Sequence, residues 1–296
     1  MFDVVGVGTN SADEVLSIPV SARDLASTGK IRARERQVLC GGQTATAVTA
    51  CAALGLRSRY IGAFGSDANG KLVREALRER GVDLEHAIEC DAPNRSAVIL
   101  VDPDGHRTVT WHLSDRLTML PQHVQPHFLD ARIVQIDDDE ADIALRAALA
   151  ARSRGTLVSS DIEHVSDKTE QIIAAVTYPI FEQTLPASLT GEADPERALR
   201  KLRRLNQNPL LITLGENGSV ALEGDRFHVA PAFKVTSVDN TGAGDVFRAG
   251  FIYGVLRQWT VPEILRFANA AGAISCTRLG AIPSVPSLSE VQSLLG

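Results

Sequence analysis

The stretch Val238-Asp239-Asn240-Thr241-Gly242-Ala243-Gly244-Asp245-Val246-Phe247-Arg248-Ala249-Gly250-Phe251 narrows to three small residues and then turns apolar, the pattern of a tight turn entering a buried helix. Backbone N–H groups at a helix start lack intrahelical partners, and the macrodipole adds positive character there. Gly242, Ala243 and Gly244 therefore offer an anion hole, with side chains small enough for a phosphate to reach the backbone. Asp245 falls in the first turn, within reach of a hydroxyl proton released by attack on phosphorus. A plain capped helix, with Asp245 only complementing the dipole, fits the same residues, so this stretch alone leaves both readings open. Arg248 shares the face of Asp245 one turn on, either to hold a phosphate or anionic substrate group or to pair with a neighbouring acid.

Outward from this turn, short apolar runs recur at Phe2–Gly8, Arg59–Phe64, Ile133–Ile136, Thr156–Ser160 and Leu210–Leu214. Amphipathic stretches at Ala68–Arg80 and Asp142–Arg154 lie between some of them, each followed by a glycine stop, Gly81 and Gly155. Alternating strands and helices predict a parallel sheet covered on both faces, a three-layer α/β sandwich in one domain spanning residues 1–296. Two segments break the rhythm, about 14–37 and 96–112, the second turning at Asp102-Pro103-Asp104-Gly105. They predict a small antiparallel β lid able to close over a substrate.

The chain has 296 residues, 44% apolar and 22% charged, as an ordinary globular protein has. Its net charge of −6 argues against nucleic acid as a partner. The basic runs at Arg32, Arg34, Arg36 and at Arg197, Arg200, Lys201, Arg203, Arg204 read as solvated faces. Val38–Leu56 carries no charge, yet its glycine pair and threonines predict a strand, a turn and a buried helix rather than a membrane span. Four cysteines without C-x-x-C spacing, and an N-terminus that enters a strand directly, fit a cytoplasmic location. The seven histidines show no metal spacing. Gly6-Val7-Gly8 lacks the third glycine of a dinucleotide fingerprint, since Ser11 stands there, and no P-loop is present. Asp137-Asp138-Asp139-Glu140, at a strand end, either orders magnesium through water or caps the following helix.

Residues 239–251 resemble the second signature of the ribokinase-like (PfkB) carbohydrate kinases, with only Asn240 departing from it. Gly41-Gly42-Gln43 through Leu54-Gly55 resembles the first signature, residues 61–70 the G-x-x-G-x-D-x-x-G turn, and Thr213-Leu214-Gly215-Glu216-Asn217-Gly218 the nucleotide segment. The resemblance implies a ribokinase-like fold and an ATP-dependent phosphotransferase acting on a hydroxyl of a small sugar. It implies Asp245 as base and Thr241, Gly242, Ala243 and Gly244 at the phosphates. Thr213, Gly215, Gly218 and Asn269 would flank the nucleotide. Asp13, Gly41, Gly42, Gln43, Thr46, Arg107 and Arg248 would face the substrate. Magnesium, a lid-mediated homodimer and a monovalent cation at Asp239 and Thr241 also belong to the family's repertoire. Gln43 and Thr46 stand where the family usually has Asn, and Glu182-Gln183-Thr184-Leu185 stands at the usual magnesium-linked N-x-x-E, so that either Glu182 replaces part of it as a contact through water or the role is missing. Similarities of residues 105–109, 230–235 and 266–278 to ketohexokinase-like and sulfofructose kinase-like members favour a ketose or acidic ketose. A nucleoside kinase or a non-catalytic sugar or nucleotide sensor on this fold are the alternatives.

Overall fold

The computed structural model describes residues 1–21, 24, 27, 29–103 and 107–296, without the side chain of Arg107. Four strands, Phe2–Val7, Ser58–Ile61, Ala131–Asp137 and Leu157–Asp161, pair in parallel in the order 157–161, 131–137, 2–7, 58–61. Parallel bridges from Ser159 to Tyr178 and from Ile162 to Phe181 join this sheet to Ile180–Phe181, Leu210–Thr213, Ser219–Glu223 and Arg226–Ala230. The last three form an antiparallel meander at the edge.

Alternation along each buried strand sends successive side chains to opposite faces. Val5, Val7, Val134, Ile136, Val158, Leu210 and Ile212 pack on one side with Ala147, Ile172 and Leu199 from the helices Ala141–Arg152, Thr169–Ala175 and Pro195–Leu202. Val4 and Ile133 pack on the other with Val48, Val246 and Phe267 from Gln43–Ala53, Ala243–Leu256 and Val261–Ser275. Helix, sheet and helix give the three expected layers. The helices Ala68–Glu79 and Ala141–Arg152 match their amphipathic spacing, and Gly81 and Gly155 adopt the left-handed conformation beyond them. The uncharged segment forms the strand Glu35–Gly41 and the buried helix Gln43–Ala53, and no helix of the described residues is long and apolar enough to cross a membrane.

A second, smaller sheet rises from the carboxyl edge of the first, in the order Glu35–Gly41, Ser11–Ser17, Ser96–Val101, Arg107–His112. It extends beyond the expected segment 14–37 at both ends and is mixed rather than antiparallel. Its outer pairs are antiparallel, but Ser11–Ser17 runs parallel to Ser96–Val101. Parallel neighbours need a long crossover, and here the helices Gln43–Ala53 and Ala68–Glu79 with the strand Ser58–Ile61 of the main sheet lie within it. Of the expected turn, Asp104 and Gly105 lie outside the described residues.

Candidate active site

Helix Ala243–Leu256 begins where a turn forces the chain through Gly242, whose φ of 78° is left-handed. A Cβ there would come within 2.7 Å of the Ala281 Cβ, so the position excludes side chains both by conformation and by space. Asp239 braces this turn: one carboxylate oxygen accepts from the Thr241 N–H at 3.0 Å and from its hydroxyl at 2.6 Å, the other from the Gly280 N–H at 2.8 Å. Thr241 and Asp239 thus hold each other and the turn.

Asp245 is 8% exposed in the first helical turn. Burial pushes its carboxyl well above the ordinary carboxylate range; Arg248 pulls it down, while Glu163 and Asp137 push it further up. Arg248 is 1% exposed and forms an ion pair with Asp161 at the end of strand Leu157–Asp161. Arg248 is thus paired with an acid and also reaches the wall of the cavity described next.

A cavity of about 1080 Å³ opens beside this helix start. Thr213, Gly215, Gly218, Asn269, Ala243, Gly244, Arg248 and Glu182, all singled out in the sequence, lie on its wall, with Glu163. Asp245 sits just inside that wall rather than on it. Asn269 donates from its amide to the carbonyls of Ala230 (2.9 Å) and Pro231 (3.2 Å), fixing the loop that leaves the meander and forms the cavity's rim. Glu182 accepts from the Thr184 N–H and hydroxyl at 2.8 and 2.5 Å.

The other motif residues gather on the far side of this helix entrance. Gly42, with φ 95°, caps helix Gln43–Ala53; a Cβ there would lie 2.3 Å from the Asn10 Cα. Gly41 faces Asp13 and Ala281, and Ala281 in turn abuts Gly242. Asp13, whose carboxylate accepts from the Ser11 hydroxyl at 3.2 Å, stands on the central strand of the small sheet. Thr46 is fully buried, with its methyl near Gly242, so it packs the two signatures together instead of lining open space. The Gln43 amide nitrogen and the Thr46 hydroxyl are buried without partners. The side chain of Arg107 lies outside the described residues.

Asp137 accepts from the N–H and hydroxyl of both Thr9 and Thr44, locking the first strand's exit to helix Gln43–Ala53. Asp138 accepts from the Glu163 and His164 N–H groups, Asp139 pairs with Arg95, and Glu140 accepts from Thr118 and Met119. The acidic run therefore stitches loops and caps no helix, because Glu140, at the cap position, makes no capping bond. Among the described residues no three His, Cys, Asp or Glu side chains converge as a metal-binding group.

Three residues at the root of the small sheet escaped the sequence reading. Asn10 donates to the Tyr60 hydroxyl and the Ala63 carbonyl and accepts from Asn94, whose own carbonyl oxygen takes the Gly65 N–H. Trp111 shares a row with Ala97 and Asp13 across the sheet, 61% exposed, with the Arg95 guanidinium 5.6 Å above its ring. Asn-Ser and Pro-Asn pairs signal turns, not a network spanning 84 positions. The alternating strand Thr108–His112 is the only cue to Trp111.

A parallel α/β sandwich, with a carboxylate behind a bare helix entrance and a cavity at the strands' carboxyl ends, defines a phosphoryl-transfer scaffold. The chain belongs to the pfkB family of carbohydrate kinases, whose family model matches residues 12–288. Its curated relatives include a ribokinase of Haemophilus influenzae, 25% identical over 98% of this chain and 97% of the relative, and fructokinase-1 of rice, 30% identical over 86% and 88%. The Arabidopsis thaliana ribokinase complexed with ribose and ATP superposes with a TM-score of 0.83 at 26% identity, covering 99% of this chain and 98% of that one. The protein is a phosphotransferase of the ribokinase-like fold that acts on a sugar-type hydroxyl.

Proposed function

We propose that the protein transfers the terminal phosphoryl group of ATP to a hydroxyl of a small sugar, with Asp245 as the base and Gly242, Ala243 and Gly244 as the anion hole. The observation that carries this reading is the meeting at one helix entrance of Ala243, Gly244 and the nucleotide-motif residues Thr213, Gly215 and Gly218 on a single cavity, with Asp245 immediately behind. ATP would occupy that cavity, against the rim that Asn269 holds. The sugar would approach from the small sheet, where Asp13, Gly41, Gly42 and Gln43 face it. Glu182 is a hard oxygen donor on the cavity wall, and its carboxylate fits contact through water with a magnesium ion, which when bound neutralises charge on the β- and γ-phosphates. Asp239 and Thr241 would border any monovalent cation. The alcohol oxygen attacks in line while Asp245 takes its proton late, as the bond to phosphorus forms.

A ketose or acidic ketose is the favoured substrate, on the sequence similarities of residues 105–109, 230–235 and 266–278. Turnover should be measured by ADP release across ketoses, acidic sugars, pentoses and nucleosides. Asp245→Asn is expected to lower kcat by about 10²- to 10⁴-fold while ATP still binds. Full turnover by this variant, or binding without turnover of any substrate by the wild type, would end the reading. We also propose that two copies meet through the small sheet, since its edge strand Arg107–His112 exposes every side chain described, Val109 included.

A further inference from the structure

Directly paired residues on neighbouring strands place their side chains on one face of a sheet. Leu39, Asp13, Ala97 and Trp111 are paired in this way, so they form one row across all four strands of the small sheet. One end of the row meets the loop beside the helix entrance. Leu39 lies 3.0 Å from where a Cβ on Gly280 would stand, and an Asp13 carboxylate oxygen lies 3.2 Å from the same point on Gly41, beside Ala281. The row therefore faces the cleft, and the exposed indole of Trp111 closes its other end. Two strand spacings, about 10 Å, separate Trp111 from Asp13, with only the methyl group of Ala97 between them on the row.

Arg95 stands at the root of this row, two residues before Ala97 and so on the same face. Its main chain is fixed: its carbonyl accepts from the Ala12 N–H at 3.1 Å, next to Asp13, and from the Asn94 amide at 3.0 Å. Its guanidinium leaves the small sheet to pair with Asp139, beyond the end of strand Ala131–Asp137 in the main one. On the way it lies 5.6 Å from the centre of the Trp111 ring. We propose that Arg95 is a positioning residue for the sugar: it fixes the indole of Trp111 against the cleft, and Trp111 with Asp13 takes the sugar as a closed ring. A ring sugar has a face of C–H groups and an edge of hydroxyls. The face packs on the indole while the hydroxyls reach the Asp13 carboxylate, and an open chain offers no such face. The guanidinium charge is taken up by Asp139, so what Arg95 gives the site is the orientation of Trp111.

The inference rests on the proposed reading that the sugar binds at the small sheet, and its test needs no turnover. The chain has two tryptophans, so in Trp259→Phe the indole emission is that of Trp111. The probes are 2,5-anhydro-D-mannitol, a ring that cannot open, and D-ribose, with D-mannitol as the open-chain control. At least one ring compound should change the emission saturably, at concentrations where D-mannitol does not. Equal responses to ring and chain, or none to any of the three, overturn the inference. By titration calorimetry, Arg95→Gln should weaken the ring compound that binds by about 2- to 30-fold, the span of a cation over an aromatic face, and leave ATP affinity unchanged. Arg95→Lys, which keeps a charge near the ring, should restore part of the loss. In a Trp111→Leu background Arg95→Gln should cost nothing further, because its effect passes through the indole. Losses that multiply in the double variant, or equal losses for ring compound and ATP, overturn the role of Arg95. Absence of turnover with every sugar would sink the kinase reading, while the emission and calorimetry still decide this one.

Discussion

The two halves of the cleft are made of different material. The nucleotide half is backbone and small residues on rigid elements, Gly215 and Gly218 beside the meander and Gly242 to Gly244 at a helix entrance. The half proposed for the sugar is side chains on a thin mixed sheet, Asp13 and Trp111 in one row, supported by the Asn10–Asn94 network. Main-chain groups can serve any phosphate, whereas the pattern of side-chain donors and acceptors suits one set of hydroxyls. On the proposed reading, the contrast teaches that the reaction is held by the part that cannot vary in side chain, and the choice of substrate by the part that can.

The sharpest way to break this contrast is Gly242→Ala. The new methyl meets Ala281 and a left-handed backbone, a strain of about 1–3 kcal/mol. Steady-state assays should show kcat falling about 10²-fold or more, in the range of a lost oxyanion donor, for every accepted sugar alike. Substrate-dependent losses would mean that the halves are not separable. Next is Asp13→Ala, expected to raise KM for the sugar by about 10- to 100-fold through lost charge-assisted hydrogen bonds, with KM for ATP within about twofold. Equal change in both constants would place Asp13 in the shared scaffold. The smallest effect is expected from Val109→Lys on the edge strand: sedimentation should show a monomer in place of a dimer, with kcat altered less than about tenfold. A wild type that sediments as a monomer would remove the small sheet from any assembly role.

The same contrast governs what could be read from the residues alone. The turn into helix Ala243–Leu256 was legible because its requirements are local, small residues before a helix and a carboxylate one step on, whereas Thr213, Gly215 and Gly218 entered only through the family resemblance. The rhythm of Phe2–Val7, Ala131–Asp137 and Leu157–Asp161 likewise follows from apolar runs that only a doubly covered sheet can bury. Nothing near Asp161 in sequence announces Arg248, which lies in another layer. The parallel centre of the small sheet was hidden for a related reason. Alternation marks a strand but not its partner, and here the helices Gln43–Ala53 and Ala68–Glu79 lie between the partners in sequence. The acidic run 137–140 misled because caps are chosen by backbone geometry, and these four carboxylates found donors in other loops.

Ala281 touches the positions where Gly41 and Gly242 would carry side chains, one from each half of the cleft. If sugar and phosphate sit as proposed, its single methyl group is the spacer between the two. On that reading a bulkier residue there would push the two apart without removing any functional group, and the expected enzyme binds both partners and seldom joins them.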